Sequence, residues 1–118
     1  MNEVWPTELR IKDKGAVLSI SFESGESYNL SAEYLRVESP SAEVKGHGPG
    51  QEQLVFGKRR VTINKAEPIG TYAVRLTFSD THSTGLYTWT YLAKLGREER
   101  TIWQTYETKL KSEFKTRD

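Results

Sequence analysis

Cysteine is absent from this chain, and that absence excludes disulfides, thiolate nucleophiles, thiolate-held iron–sulfur clusters and every cysteine-based zinc motif. A reducing compartment fits such a composition. An excess of one charge is missing as well. Seventeen Lys and Arg against 16 Asp and Glu leave a formal net charge of +1, so no global field draws the protein to nucleic acid or to an anionic membrane. No apolar run approaches the roughly 20 residues of a membrane span, and the N-terminal 1-MNEVWPTELR-10 lacks the charged-then-apolar order of a signal peptide. These features together lead us to expect a cytoplasmic protein.

What is present suits one small domain. A chain of 118 residues buries about two-thirds of the surface its unfolded form exposes, and a second domain is not expected. Four Phe, six Tyr and three Trp supply the large side chains of an ordinary core.

The first third alternates with period two, placing Leu9, Ile11, Val17 or Leu18, Ile20 and Phe22 in strand spacing. Turn signals stand at Lys14-Gly15 and Ser24-Gly25. Ser31 reads as the N-cap of a short helix over 31–36, with Pro40 beyond it. Residues 43–57 carry glycines and Pro49 without a period and read as a loop. Strands are expected over 59–67 and 71–80 as an antiparallel pair turning at Pro68 and Gly70. Helical spacing then predicts one helix over 86–96, with Gly96 in the C′ position. A final helix over 97–114 puts Ile102, Trp103, Tyr106, Leu110 and Phe114 on one stripe. The fold class is α+β: a single domain over 1–96 with an antiparallel sheet and a few helices, and a long C-terminal helix over 97–118, packed on it or partly free.

Candidate chemistry starts from scarcity. The only histidines are His47 and His82, so a metal site needs carboxylates such as Asp80, Glu43 or Glu52. Two histidines with one carboxylate is the ligand set of non-haem iron oxygenases, and His47, His82 and Asp80 form the weak iron candidate. The plainer reading is a turn histidine and a strand-end histidine. Ser39, Ser41 and Ser83 lack the strand–turn–helix elbow of a serine nucleophile, and 46-GHGPG-50 lacks the helix and trailing Lys-Ser/Thr of a phosphate loop. Lys58, Arg59 and Arg60 offer cations to nucleic acid, but three basic residues entering a strand more often form a solvated edge.

Longer strings carry a resemblance. Together 5-WPTELRIK-12, 35-LRVESPSAEVKGHG-48 and 67-EPIGTYAVRLTFSDTHSTGLYTWTYLAKLG-96 resemble bacterial proteins of the DUF971 family, related to the N-terminal domain of gamma-butyrobetaine hydroxylase. The match covers nearly the whole chain up to Gly96. It implies a small α+β domain, which in the hydroxylases precedes a separate iron- and 2-oxoglutarate-dependent catalytic domain. Residues after Gly96 amount to one helix, so oxygenase activity is not carried over. Similar domains are fused to Mrp-type ATPases that handle iron–sulfur clusters, which implies an accessory role.

The resemblance also implies a zinc position. In the hydroxylases three cysteines and a histidine hold the ion, and on this sequence those positions are Ser39, Ser41, Val44 and His82. Hydroxyls and a valine do not replace thiolates, so structural zinc is not expected, and local hydrogen bonds with a buried Val44 are expected to hold the loop. The leading expectation is a non-catalytic module without a cofactor that meets a protein partner through Arg36, Glu43, Gly46, His47 and Gly48, with His82, Tyr87 and Trp89 as second choices.

Overall fold

The computed structural model describes residues 4–41, 54–83 and 85–118. Strands β1 (Pro6–Lys12), β2 (Val17–Phe22) and β3 (Ser27–Ser31) form one antiparallel sheet in that order. Strands β4 (Ile63–Ile69), β5 (Ala73–Phe78) and β6 (Leu86–Thr88) form a second. Helices α1 (Ala32–Val37), α2 (Trp89–Arg97) and α3 (Glu99–Ser112) complete the domain. None of these helices is long and apolar enough to cross a membrane.

The period-two pattern sets the first sheet. Leu18, Ile20 and Phe22 of β2 are buried while Val17, Ser19 and Ser21 are half-buried, and Ile20 lies between Leu9 of β1 and Tyr28 of β3. In the second sheet β5 buries Val74, Leu76 and Phe78. Both sheets, α1 and α2 contribute to one continuous core, with Leu30, Leu35, Tyr87 and Leu92 wholly inaccessible within it. Gly15 joins the sheets: its φ is +94°, and a Cβ there would lie 2.7 Å from the Ile63 carbonyl oxygen. Helix α3 packs Ile102 and Trp103 against this core and places Tyr106 and Leu110 against Val37 beside Leu54 and Val55.

The helix starts follow side-chain chemistry. Ser31 Oγ accepts from the Tyr34 amide and Thr88 Oγ1 from the Tyr91 amide, satisfying orphan first-turn donors. The carboxyl ends are closed by tyrosines from elsewhere in the chain. Tyr87 donates to the Leu35 carbonyl, Tyr91 to Glu38 and Tyr34 to Leu95. Tyr106 donates to Val55. Burial pushes the phenols of Tyr34, Tyr87 and Tyr91 upward and that of Tyr106 up to about 12, so all four remain protonated donors at neutral pH.

Four local expectations change. The segment expected as one helix over 86–96 is divided: 86–88 pairs with β5 through Ala73↔Thr88 and Val74↔Tyr87, and α2 opens at Trp89. Gly96 is not at C′ but within α2, where an added Cβ would meet the Tyr28 ring at 2.5 Å. Strand β4 opens at Ile63 rather than residue 59, because the Arg59 amide bonds the Arg117 carbonyl and the Val61 amide closes a turn onto Lys58. Phe114 leaves the helical stripe: it follows α3 with φ +57° and is 94% exposed.

Gly96 sets up a contest of known sign. Alanine would favour the helix by about 1 kcal/mol over glycine, but the overlap with Tyr28 costs about 1–3 kcal/mol. Gly96→Ala is therefore expected to lower stability, read as a reduced urea midpoint with an unchanged slope.

Candidate functional site

The end of α1 and the turn after β5 meet in a buried polar cluster. Closing the carboxyl end of α1 onto Tyr87 and Tyr91 directs Ser39 and Ser41 toward the turn that carries His82. There Ser39 Oγ lies 2.9 Å and Ser41 Oγ 3.4 Å from the same nitrogen, His82 Nε2. Ser39 is fully inaccessible, and Ser41 and His82 are 6% and 8% exposed. The histidine turn is tight, with the Phe78 amide bonding the His82 carbonyl and Thr81 at φ +70°. Gly85 completes the packing: a Cβ there would stand 2.4 Å from Ser39 Oγ.

An ion-paired network adjoins the cluster. Asp80 Oδ1 accepts from the His82 amide, while Asp80 Oδ2 accepts from Arg36 Nε at 2.9 Å and Lys58 Nζ at 2.6 Å. Burial works to raise the Asp80 carboxyl, but bonds from Lys58 and the His82 amide together with the Arg36 guanidinium outweigh it and hold the group below its ordinary 3.8. Arg36 is the last-turn cation of α1, and its Nη1 is buried without a hydrogen-bond partner.

The chemistry open to this arrangement is limited by access. A serine oxygen 2.9 Å from an imidazole nitrogen has the separation of a nucleophile and its base, a pairing the sequence motifs did not reveal. Yet Ser39 has no exposed surface, and its oxygen fills the space beside Gly85. An acyl substrate has no approach to it. The zinc implied by the resemblance does not fit these residues either. The donors are two neutral hydroxyls and an imidazole already hydrogen-bonded together, without the thiolate charge a structural zinc draws on.

The other expected residues are placed as follows. Tyr87 is wholly buried, with its hydroxyl donating to the Leu35 carbonyl. Trp89 opens α2, half-buried, and its Nε1 donates to the Thr71 carbonyl. Glu43, Val44, Gly46, His47, Gly48 and Glu52 lie outside the described residues. Of the iron candidates, His82 and Asp80 sit side by side, but both Asp80 oxygens are engaged. Among the described residues no group of three ligating side chains is placed to hold a metal ion. Lys58 is taken by Asp80 and Arg59 by Asp118. A surface groove of about 450 Å³ runs along α3, lined by Glu99, Arg100, Trp103, Gln104 and Glu107, none of which belongs to the cluster.

Sequence reasoning missed two contributors. Gly85 had a signal, since it sits in the string 82-HSTGLY-87 whose order carries the resemblance. Lys58 had none as a partner of Asp80, because a cation 22 residues from its carboxylate is paired only by the fold.

Among the described residues, two antiparallel sheets, three helices and a buried polar corner define a small α+β module. The chain matches the gamma-butyrobetaine hydroxylase-like N-terminal family over residues 9–93 and belongs to it. A crystal structure of a DUF971 family protein from Acidithiobacillus ferrooxidans is 38% identical, covering 77% of this chain and 91% of that one at a TM-score of 0.65. Two proteins solved by NMR in solution are also similar. One is 39% identical with a TM-score of 0.85, covering 99% of this chain and 92% of its own. The other is 43% identical with a TM-score of 0.83, covering 98% and 86%. No curated protein matches the chain.

The depressed Asp80 carboxyl fixes a direction with pH. A group whose folded-state pKa lies below its unfolded value adds stability that is complete above the unfolded value and lost as pH falls through the folded one. Acid unfolding of the wild type should therefore contain an Asp80 component below about pH 3.8. Asp80→Asn is expected to remove that component and to cost about 1–2 kcal/mol at pH 7, the group being partly exposed. Urea titrations at pH 7 and pH 3 measure both effects, and the variant's deficit should narrow at the lower pH.

Proposed function

We propose that this chain is a non-catalytic interaction module, accessory to iron–sulfur or 2-oxoglutarate oxygenase biochemistry, that engages a protein partner beside Arg36. The observation carrying this reading is how the reactive groups are spent. Ser39 and Ser41 are bonded to His82, and Asp80 is bonded to Arg36 and Lys58. Among the described residues Arg36 keeps one donor, Nη1, without a hydrogen-bond partner; the atom is itself buried, so a partner's carboxylate or phosphate reaches it only by displacing the surface over it, and an unmet buried donor costs about 1–3 kcal/mol that such a pairing would recover. A guanidinium already fixed by one acid through Nε is oriented to fork onto a second. The segment carrying Glu43, Gly46, His47 and Gly48 follows directly on Ser41 in the chain, and these residues complete the proposed surface.

Arg36→Lys separates partner binding from folding, because lysine keeps the charge for Asp80 but loses the fork. Tagged wild-type protein should retain a stoichiometric partner from extracts of its source cells at moderate salt. The lysine variant, with an unchanged far-UV spectrum, should retain less than about a tenth as much, the factor matching one lost charge-assisted bond. Equal retention by both proteins, or turnover of 2-oxoglutarate by the isolated chain, would overturn the reading.

A further inference from the structure

We infer that hydrogen bonding replaces a metal ion at the junction of α1 and the β5–β6 turn, and that the junction keeps the geometry of a three-ligand soft-metal site. Three observations carry this. First, two side chains from one segment and one from another converge on a single point: Ser39 Oγ and Ser41 Oγ both address His82 Nε2, across 43 and 41 residues of chain. Second, the separations are of the right size. A tetrahedral zinc with bonds of about 2.3 Å to sulfur and about 2.0 Å to nitrogen holds those atoms about 3.5 Å apart. The oxygens stand at 2.9 and 3.4 Å from that nitrogen, within about 0.6 Å of this separation. Third, the junction is walled in: all three residues are more than nine-tenths buried, and a Cβ at position 85 would stand 2.4 Å from Ser39 Oγ, so glycine there is what lets the serine reach His82.

Hydrogen bonds suffice here for a physical reason. Hydroxyls donate and accept in any rotation, so Ser39 and Ser41 satisfy the buried nitrogen of His82 with either ring tautomer. The Ser41 amide in turn bonds Ser39 Oγ, which fixes the loop as a shared ion would. The inference concerns how this corner is held and is independent of the partner proposed above.

The test uses the full chain under a reducing agent that does not bind metal, with cobalt(II) and zinc(II) as probes. Wild-type protein should show no thiolate-type absorption with cobalt and no change in thermal midpoint on adding zinc or a chelator. Ser39→Cys combined with Ser41→Cys should bind one cobalt, with thiolate charge-transfer and tetrahedral visible bands, and zinc should raise its thermal midpoint. Adding His82→Gln should weaken that binding by about tenfold or more, since losing even a ligand's supporting partner costs about that much. If the double variant is unfolded without metal, refolding it with cobalt decides the matter: recovery of the native spectrum supports the inference, and failure overturns it. It is also overturned by stoichiometric zinc in the wild type, by chelator-induced unfolding of the wild type, or by a folded double variant that stays spectroscopically silent with cobalt.

Discussion

The constraint on which the rest of this structure depends is the closing of helix carboxyl ends by tyrosine hydroxyls. Helix α1 is six residues long, too short to be stable alone, and most of its carbonyls face the last-turn problem of having no intrahelical donor. Tyr87 meets Leu35, Tyr91 meets Glu38, and Tyr34 of α1 returns the favour to Leu95 of α2. An unmet carbonyl at these depths would cost about 1–3 kcal/mol each. The two helices and β6 are thereby held in one arrangement, and the chain leaving α1 has one exit.

That exit determines the polar corner. Ser39 is drawn under Gly85 and onto His82 because Tyr87, two residues beyond Gly85, is bolted to the end of α1. The ion network then forms where the same turn presents Asp80 to Arg36. One carboxylate there serves two cations, and Arg36 Nη1 is the donor left without a hydrogen bond. Packing and electrostatics are thus consequences of the same few hydrogen bonds.

The C-terminal segment illustrates a second use of distant pairing. Arg117 holds Glu33 of α1 in a bidentate pair at 2.8 and 2.7 Å and lies over the Trp103 ring, while the Gly57 amide bonds the Thr116 carbonyl. Residues after α3 therefore lie along 57–59 rather than extending the helix. Phe114, the turning point, takes a left-handed conformation and is turned out of the core. A stripe at helical spacing identified Tyr106 and Leu110 correctly because they precede that turn; it misplaced Phe114 because nothing local records a strap formed with residue 57.

The sequence by itself determined the α+β class, the strands of the first sheet, the caps at Ser31 and the family, since period-two alternation, N-cap chemistry and an ordered string of residues are all local signals. It also marked Ser39, Ser41 and His82 as positions of interest. Only the tertiary structure decided that those three side chains share one nitrogen, that Lys58 and Arg36 share one carboxylate, that β6 is a strand of three residues and that Gly96 sits inside a helix against Tyr28. The physical reason is the same throughout: each depends on a contact across tens of residues, and hydrogen bonds, ion pairs and steric overlaps of that kind leave no period in the chain.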